Sequence, residues 1–264
     1  MDYIITDRGL IPETEQPFYS EKPAYLPHCY LPPGDRRVVA ATAQRRSDHG
    51  LPEQGFVFCV FNNHAKIMPP VFDVWMRLLR AVEGSVLWLS QGSEAVTRNL
   101  TAEAARRGIE AQRLVFAPRV PKVEDHLARH LLADLFLDTL PYNAHTTASD
   151  ALWCRLPVLT CVGRTFAGRV AASLLSALSM PELISTSLED YESRALHFTR
   201  QPELLTNLRK RLTLLHDTHP LFDAVVFCRH LERAYTMMRD RWERGERPEP
   251  LYVSPLPGQS PQRL

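Results

Sequence analysis

Several common signatures are missing from this chain of 264 residues. It has no charge excess: 31 Lys and Arg face 30 Asp and Glu, a formal net charge of +1. A balanced chain offers no electrostatic footprint for nucleic acid or an anionic membrane. No apolar run approaches the roughly 18 residues needed to span a bilayer. The start, "MDYIITDRG", has too short an apolar part for a signal peptide, and its first charge is acidic. The five cysteines are odd in number, widely spaced and never arranged as C-x-x-C. That argues against a disulfide framework and a structural zinc site, and for buried thiols in a reducing compartment, the cytoplasm. No G-x-G-x-x-G and no Walker A occur, so a dinucleotide enzyme or a P-loop NTPase is not indicated. No D-x-D follows a strand, and no His, Cys and Asp spacing suggests a metal. No internal repeat is visible.

What is present is alternation. Short β-branched runs, "FVFCVF" (56–61), "SVLWLS" (85–90), "RLVFA" (113–117), "ADLFLD" (133–138) and "PVLTCV" (157–162), are separated by helical patterns. The helices are expected over 69–82, 94–108, 124–132, 147–153 and 166–178, with three more toward the C-terminus. This alternation predicts an α/β fold, a Rossmann-like parallel sheet with helices on both faces. The runs are continuously apolar, as strands covered on both faces are. Residues 1–55 are proline-rich and aperiodic, with "YIIT" as a strand lacking partners. Residues 56–245 form the Rossmann-like unit. Residues 246–264 are a proline-rich tail expected to be disordered or draped over the surface.

In such sheets ligands bind beyond the carboxyl ends of the strands. Lys66, in "NNHAKI", has that address, where a cation can meet a phosphate or stay solvated. Asn62 and Asn63 read as turn formers. Ser93 reads as a helix cap. Lys122, His126 and Arg129 cluster at a helix start, either as a site or as a solvated amphipathic turn. In "NAHTTASD" (143–150), Thr146 and Thr147 would offer amides and hydroxyls at a helix N-terminus, a ready anion site. On pattern alone a capping box, Thr147 with Asp150, is the better reading. In "GRTFAGRVAAS", Gly163 opens a turn, and Ala167, Gly168, Ala171 and Ala172 suit close helix–sheet packing.

Together the strings "MDYIITD", "YSEKPAYLPH", "FCVFNNHAKI", "LADLFLDTLPYNAHTTASDALW", "LPVLT" and "TFAGRVAAS" resemble the catalytic region of the O-GlcNAc transferases, a family that includes plant SPINDLY-type proteins and bacterial homologues. The resemblance runs from about residue 2 to 245. It implies the C-terminal, donor-binding domain of a two-domain GT-B glycosyltransferase, with 1–55 as the tail of the N-terminal catalytic domain plus a linker. It implies inverting, metal-independent transfer of N-acetylglucosamine from UDP-GlcNAc to Ser or Thr of acceptor proteins, with no cofactor. It also implies roles. Lys66 would steady the diphosphate leaving group. Asn63 would lie beside the phosphate. His145, Thr146 and Thr147 would hold the diphosphate. Asp150 would bond the ribose. His126 and Arg129 would contact uridine. Lys122, or Arg119 instead, would reach ribose or phosphate. Two positions depart from the family: Ala65, where an aromatic is usual, and Arg164, where a glutamate is. The family's proposed histidine base, acceptor groove and TPR repeats lie upstream of the matching region. Two rivals remain open: an inactive UDP-sugar-binding or interaction module, and a GDP-fucose-using protein O-fucosyltransferase.

Overall fold

The computed structural model describes residues 1–32, 34, 37–41 and 44–257. The elements in chain order are β1 (Tyr3–Thr6), β2 (Lys22–Tyr25), β3 (Val57–Val60), α1 (Pro69–Ala81), β4 (Val86–Ser90), α2 (Glu94–Arg106) and β5 (Leu114–Ala117). Then come α3 (Val123–Arg129), β6 (Leu135–Leu137), α4 (Thr146–Trp153), β7 (Val158–Cys161), α5 (Val170–Ala177) and β8 (Ile184–Ser185). The chain closes with α6 (Leu188–Arg200), α7 (Pro202–His216), α8 (Ala224–Glu243) and β9 (Leu251–Tyr252).

Two sheets form. The larger has six parallel strands in the order β5-β4-β3-β6-β7-β8. Counted from β3, this is the doubly wound order 3-2-1-4-5-6, in which successive strands add outward from β3 and then switch sides. The switch point lies between β3 and β6, where the loops after the two strands diverge and leave a crevice. α1 packs on α6, while α4 packs on α5 and α7. The expected α/β parallel architecture with covered faces is what is found.

The strands are buried along their length: Val57, Phe58, Cys59 and Val60 have no exposed surface, nor do Leu135, Phe136 and Leu137. α1 starts on Pro69 and Pro70, where a missing N–H costs nothing. It buries Val71, Val74, Trp75, Leu78 and Leu79 as one stripe. α2 begins on Ser93, whose hydroxyl accepts from the Val96 amide, as its cap reading requires. It ends before Gly108, whose φ of 74° only glycine adopts without strain. Trp75, Trp88 and Tyr191 are the largest fully buried side chains. The Tyr191 hydroxyl donates to the Asp138 carbonyl at 3.1 Å and so ties α6 to the end of β6.

The smaller sheet corrects two expectations. "YIIT" has partners: β1 pairs in parallel with β2, and β2 with β9. The tail is not unstructured at 251–253. Leu251 and Val253 are buried, and the Val253 amide donates to the Tyr25 carbonyl at 3.0 Å. The sequence hides this because β9 is two residues long and its partner lies more than 200 positions away. α8 lies against the small sheet, with Ala234 buried against Leu26 and Val253.

Candidate functional site

The crevice at the switch point is built from the loops after β3, β4, β5 and β6. After β3 the chain makes a short 3₁₀ turn, His64–Lys66. Asn63 caps it, its side chain accepting from the Ala65 amide at 2.9 Å, so the side chain expected beside a phosphate serves locally as a turn former. His64 Nε2 lies 2.6 Å from the Ser90 carbonyl and pins this turn to the end of β4. The turn aims Lys66 at the neighbouring loop. Lys66 Nζ donates to the Asn143 carbonyl at 2.8 Å and sits 4.0 Å above the Tyr142 ring. Burial lowers its pKa, while the Asp138 charge pulls it back up.

Residues 139–145 carry the chain from β6 to α4. Their shape rests on Asp138, a carboxylate that the sequence reading did not single out. It is 2% exposed and accepts from the amides of Thr139 (2.7 Å) and Ala144 (2.6 Å), the Thr160 hydroxyl (2.7 Å) and the Asn62 amide (3.3 Å). Burial pushes its pKa up to about 6 and these four donors hold it down. Asn62 is therefore no simple turn former. It is 1% exposed and also donates to the Thr139 hydroxyl at 2.7 Å. Its position right after a continuously apolar strand was the available signal, since a polar group there needs buried partners.

The same loop is held from its other side. The Ala167 carbonyl accepts the Asn143 amide at 2.8 Å and lies 3.3 Å from His145 Nε2. Gly168 permits this approach, because a Cβ there would stand 2.7 Å from the Pro141 carbonyl. Gly168 falls in a 3₁₀ turn before α5, so the close packing is against the loop rather than along a helix.

His145 is the N-cap residue of α4, and no side chain caps the helix. The capping box read from Thr147 and Asp150 does not form. The first amides of α4, at Thr146 and Thr147, therefore keep the donor capacity that a helix start leaves over. Thr146 is exposed and Thr147 half-buried. The His145 ring stacks on Tyr142 at 4.9 Å. Burial lowers its pKa, the Ala167 carbonyl raises it and the nearby Lys66 charge lowers it further. Asp150, one turn along, is engaged by Arg37, with Nη1 to Oδ1 at 2.6 Å. Burial raises the Asp150 pKa and Arg37 opposes that. Arg37 also donates to Ser149 at 3.1 Å, and its carbonyl accepts from Trp153 Nε1 at 2.9 Å. Nothing local in the sequence points to Arg37, which lies in the aperiodic segment more than 100 positions away.

On the β5 side lies a cleft of about 420 Å³, lined by Phe61, Ser90, Gln91, Ala117 and the 118–129 segment. Lys122, Arg119, His126 and Arg129 all line it. Its floor is aromatic: Phe61 meets Trp88 at 5.0 Å, His126 at 5.5 Å and His130 at 5.2 Å. Burial and then Arg129 lower the His126 pKa. Arg129 is 4% exposed and donates to the Pro118 carbonyl at 2.6 Å, folding the 118–122 segment over the cleft. Lys122 is exposed at the N-cap of α3. Arg164 is exposed in the turn after β7. The structure thus gathers the expected residues into two adjoining groups: Lys66, Asn63, His145, Thr146, Thr147 and Asp150 at one end, Lys122, His126 and Arg129 at the other. Among the described residues no group of three or more His, Cys, Asp or Glu is placed to hold a metal, and no helix is long and apolar enough to cross a membrane.

Known proteins resemble this chain in sequence and fold. The model of glycosyl transferase family 41 matches residues 33–231. A probable UDP-N-acetylglucosamine–peptide N-acetylglucosaminyltransferase of Arabidopsis thaliana, SEC, is 35% identical over 255 residues, covering 94% of this chain and 26% of that protein. A UDP-N-acetylglucosamine–peptide N-acetylglucosaminyltransferase of Caenorhabditis elegans is 34% identical over 76% of this chain and 17% of its own length. A mutant O-GlcNAc transferase of Thermobaculum terrenum superposes with a TM-score of 0.80 at 32% identity, over 93% of this chain and 46% of that one. A sucrose-phosphate synthase of Thermosynechococcus elongatus shares the fold alone, at a TM-score of 0.62 and 15% identity. The chain spans 17–26% of the length of these curated relatives and 46% of the solved transferase. On these matches the chain belongs to glycosyl transferase family 41.

Proposed function

We propose that this chain supplies the nucleotide-sugar donor site of a transferase that moves N-acetylglucosamine from UDP-GlcNAc to Ser or Thr hydroxyls of proteins. The observation that carries the reading is one juxtaposition. A nucleoside-sized cleft, a lysine and an uncapped helix start lie side by side along the carboxyl ends of β3 to β6.

In this reading the uridine lies in the cleft between Phe61 and the 118–129 segment, facing His126 and Arg129, with Lys122 at its rim. Asp150 takes a ribose hydroxyl, sharing its carboxylate with Arg37. The diphosphate lies over the start of α4, where the amides and hydroxyls of Thr146 and Thr147 donate to it and Asn63 and His145 flank it. Lys66 leaves the Asn143 carbonyl for the phosphate. As the acceptor oxygen attacks the anomeric carbon from the opposite face, the bond to UDP breaks and negative charge grows on the diphosphate. A preorganised cation and helix amides stabilise that charge more than they stabilise the bound donor, which is the differential effect that speeds reaction. Lys66 and α4 thus supply the positive charge that a metal supplies elsewhere, and the configuration inverts. The relatives are far longer, and we place acceptor binding and the proton-accepting base in the parts that this chain does not include. The cytoplasm is the proposed compartment, since all five thiols are free and four of them are buried.

Calorimetric titration of the 264-residue chain with UDP and with UDP-GlcNAc tests the reading. Saturable binding of both, tighter than GDP, is expected. A folded chain that ignores UDP refutes the donor site, and greater thermal stabilisation by GDP than by UDP turns the assignment to a guanine nucleotide sugar.

A further inference from the structure

Tyr142 is a large ring on the surface of the site loop, 45% exposed. Its two contacts are specific. Lys66 Nζ stands 4.0 Å from its centroid, and the His145 ring stacks on it at 4.9 Å with 25° between planes. The loop that presents it is fixed at both ends, by Asp138 through the Thr139 and Ala144 amides and by the Ala167 carbonyl through the Asn143 amide. The Tyr142 carbonyl itself accepts from the Thr139 hydroxyl at 2.7 Å. The backbone that carries the ring is therefore fixed, and the ring itself lies between Lys66 and His145.

We infer that Tyr142 is a positioning residue for the donor site: its ring holds the Lys66 ammonium and the His145 imidazole beside the start of α4. The inference rests on the proposed donor role of Lys66. The physical need is clear. Lys66 is half-buried and has one carbonyl partner at 2.8 Å, while an ammonium has three donors. The negative face of an aromatic ring stabilises the charged form without consuming a hydrogen-bond donor. The other donors stay free for phosphate oxygens, and little rotamer freedom is left to lose on binding. A carboxylate in the same place would hold the lysine but would repel the diphosphate. A ring does the first without the second.

Two measurements test this. The chain has four lysines, so reductive methylation with ¹³C-formaldehyde gives a readable spectrum, assigned by Lys66→Arg. The dimethyl-Lys66 signal should be shifted upfield by the ring. The shift should persist in Tyr142→Phe and vanish in Tyr142→Leu. An unshifted wild-type signal overturns the inference, with no nucleotide involved. The second measurement is UDP affinity. Tyr142→Phe should bind within about twofold of wild type and Tyr142→Leu about three- to tenfold more weakly, the scale of one cation–π contact. In a Lys66→Met background the Tyr142→Leu change should cost nothing further, because the ring acts through the lysine. Equal loss in both backgrounds, or equal affinity of the Phe and Leu variants, overturns it. A shifted Lys66 signal in a chain that binds no UDP would sink the donor-site reading and leave Tyr142 without a site to serve.

Discussion

At its β5 end the cleft rests on rings: Phe61 meets Trp88 and His130 edge to face and His126 at a tilt, and the 118–122 segment folds over them through Arg129. At its β6 end it rests on polar groups that already hold one another. Lys66 bonds a loop carbonyl, His145 lies against another, and Asp150 is paired with Arg37. The first end is a shape that the planar ring of a base can enter, against other rings, without breaking anything. The second is a set of charges kept in place by internal stand-ins, which a diphosphate would exchange for its own oxygens. Neutral hydrogen bonds traded in this way yield little net energy, so at that end the charge-assisted bond of Lys66 would count for most.

The comparison is tested most severely by Lys66→Met. UDP affinity should fall about 10- to 100-fold, the range for a charge-assisted bond to phosphate. Uridine affinity should stay within about twofold, since the lysine does not reach the β5 end. Titrating both ligands into both proteins decides it. Equal losses for uridine and UDP would erase the distinction between the two ends.

Next is Asp138→Asn. The carboxylate accepts four hydrogen bonds in a buried site, and an amide group would set N–H against N–H. Leaving buried donors unmatched costs about 2–4 kcal/mol, which lowers the melting temperature by about 4–16 °C in a chain of this size. Calorimetry on the purified variant should show this. A fall below about 2 °C would mean that the loop does not hang on Asp138. Smaller still is Gly168→Ala. The new Cβ would press on the Pro141 carbonyl, and backbone cannot rotate away as a side chain can. A cost of about 1–3 kcal/mol is expected. It should come with weaker UDP binding but unchanged uridine binding, because the displaced loop carries the carbonyl that Lys66 uses. Tight UDP binding in a destabilised variant would show that the loop can shift without disturbing the β6 end.

The two ends also differed in how far they could be read from sequence. The strands β3 to β7 announced themselves as apolar β-branched runs, and the residues just beyond them, Lys66, His126, Thr146 and Thr147, inherited a ligand-edge address from that. The packing beneath them did not. Asp138 looked like the last letter of a strand and Asn62 like a turn, because hydrogen bonding across 76 positions leaves no local periodicity. Arg37 sat in a proline-rich stretch with no pattern at all, yet it closes on Asp150. The missing capping box has the same origin. Thr147 and Asp150 have the spacing of a cap, but His145 holds the N-cap position and the tertiary partner takes the carboxylate.

The least disruptive test concerns His130, beneath the ring-built end. It has no exposed surface, its Nδ1 lies 3.2 Å from the His126 carbonyl, and its Nε2 has no partner among the described residues. Burial, and next the neighbouring His126, push its pKa down to about 3. Nδ1–H therefore donates and Nε2 is a bare lone pair facing rings. The unfolded chain takes up a proton near pH 6.5 and the folded chain does not, so the unfolded state binds more protons between about pH 6.5 and 3. Stability from this group is complete above about pH 6.5 and is lost as pH falls through that window. His130→Phe keeps a ring of similar size and removes the titration. At pH 7 the variant should melt within about 4 °C of wild type, the effect of roughly 1 kcal/mol. Between pH 7 and pH 5 its melting temperature should fall less than that of wild type, and UDP should bind it as before. Parallel falls in the two proteins would place the acid sensitivity elsewhere, for example on the depressed His219, just before α8, and His230, within it. A cold-sensitive or UDP-blind His130→Phe would show that the β5 end depends on a polar atom after all, and is not held by packing alone.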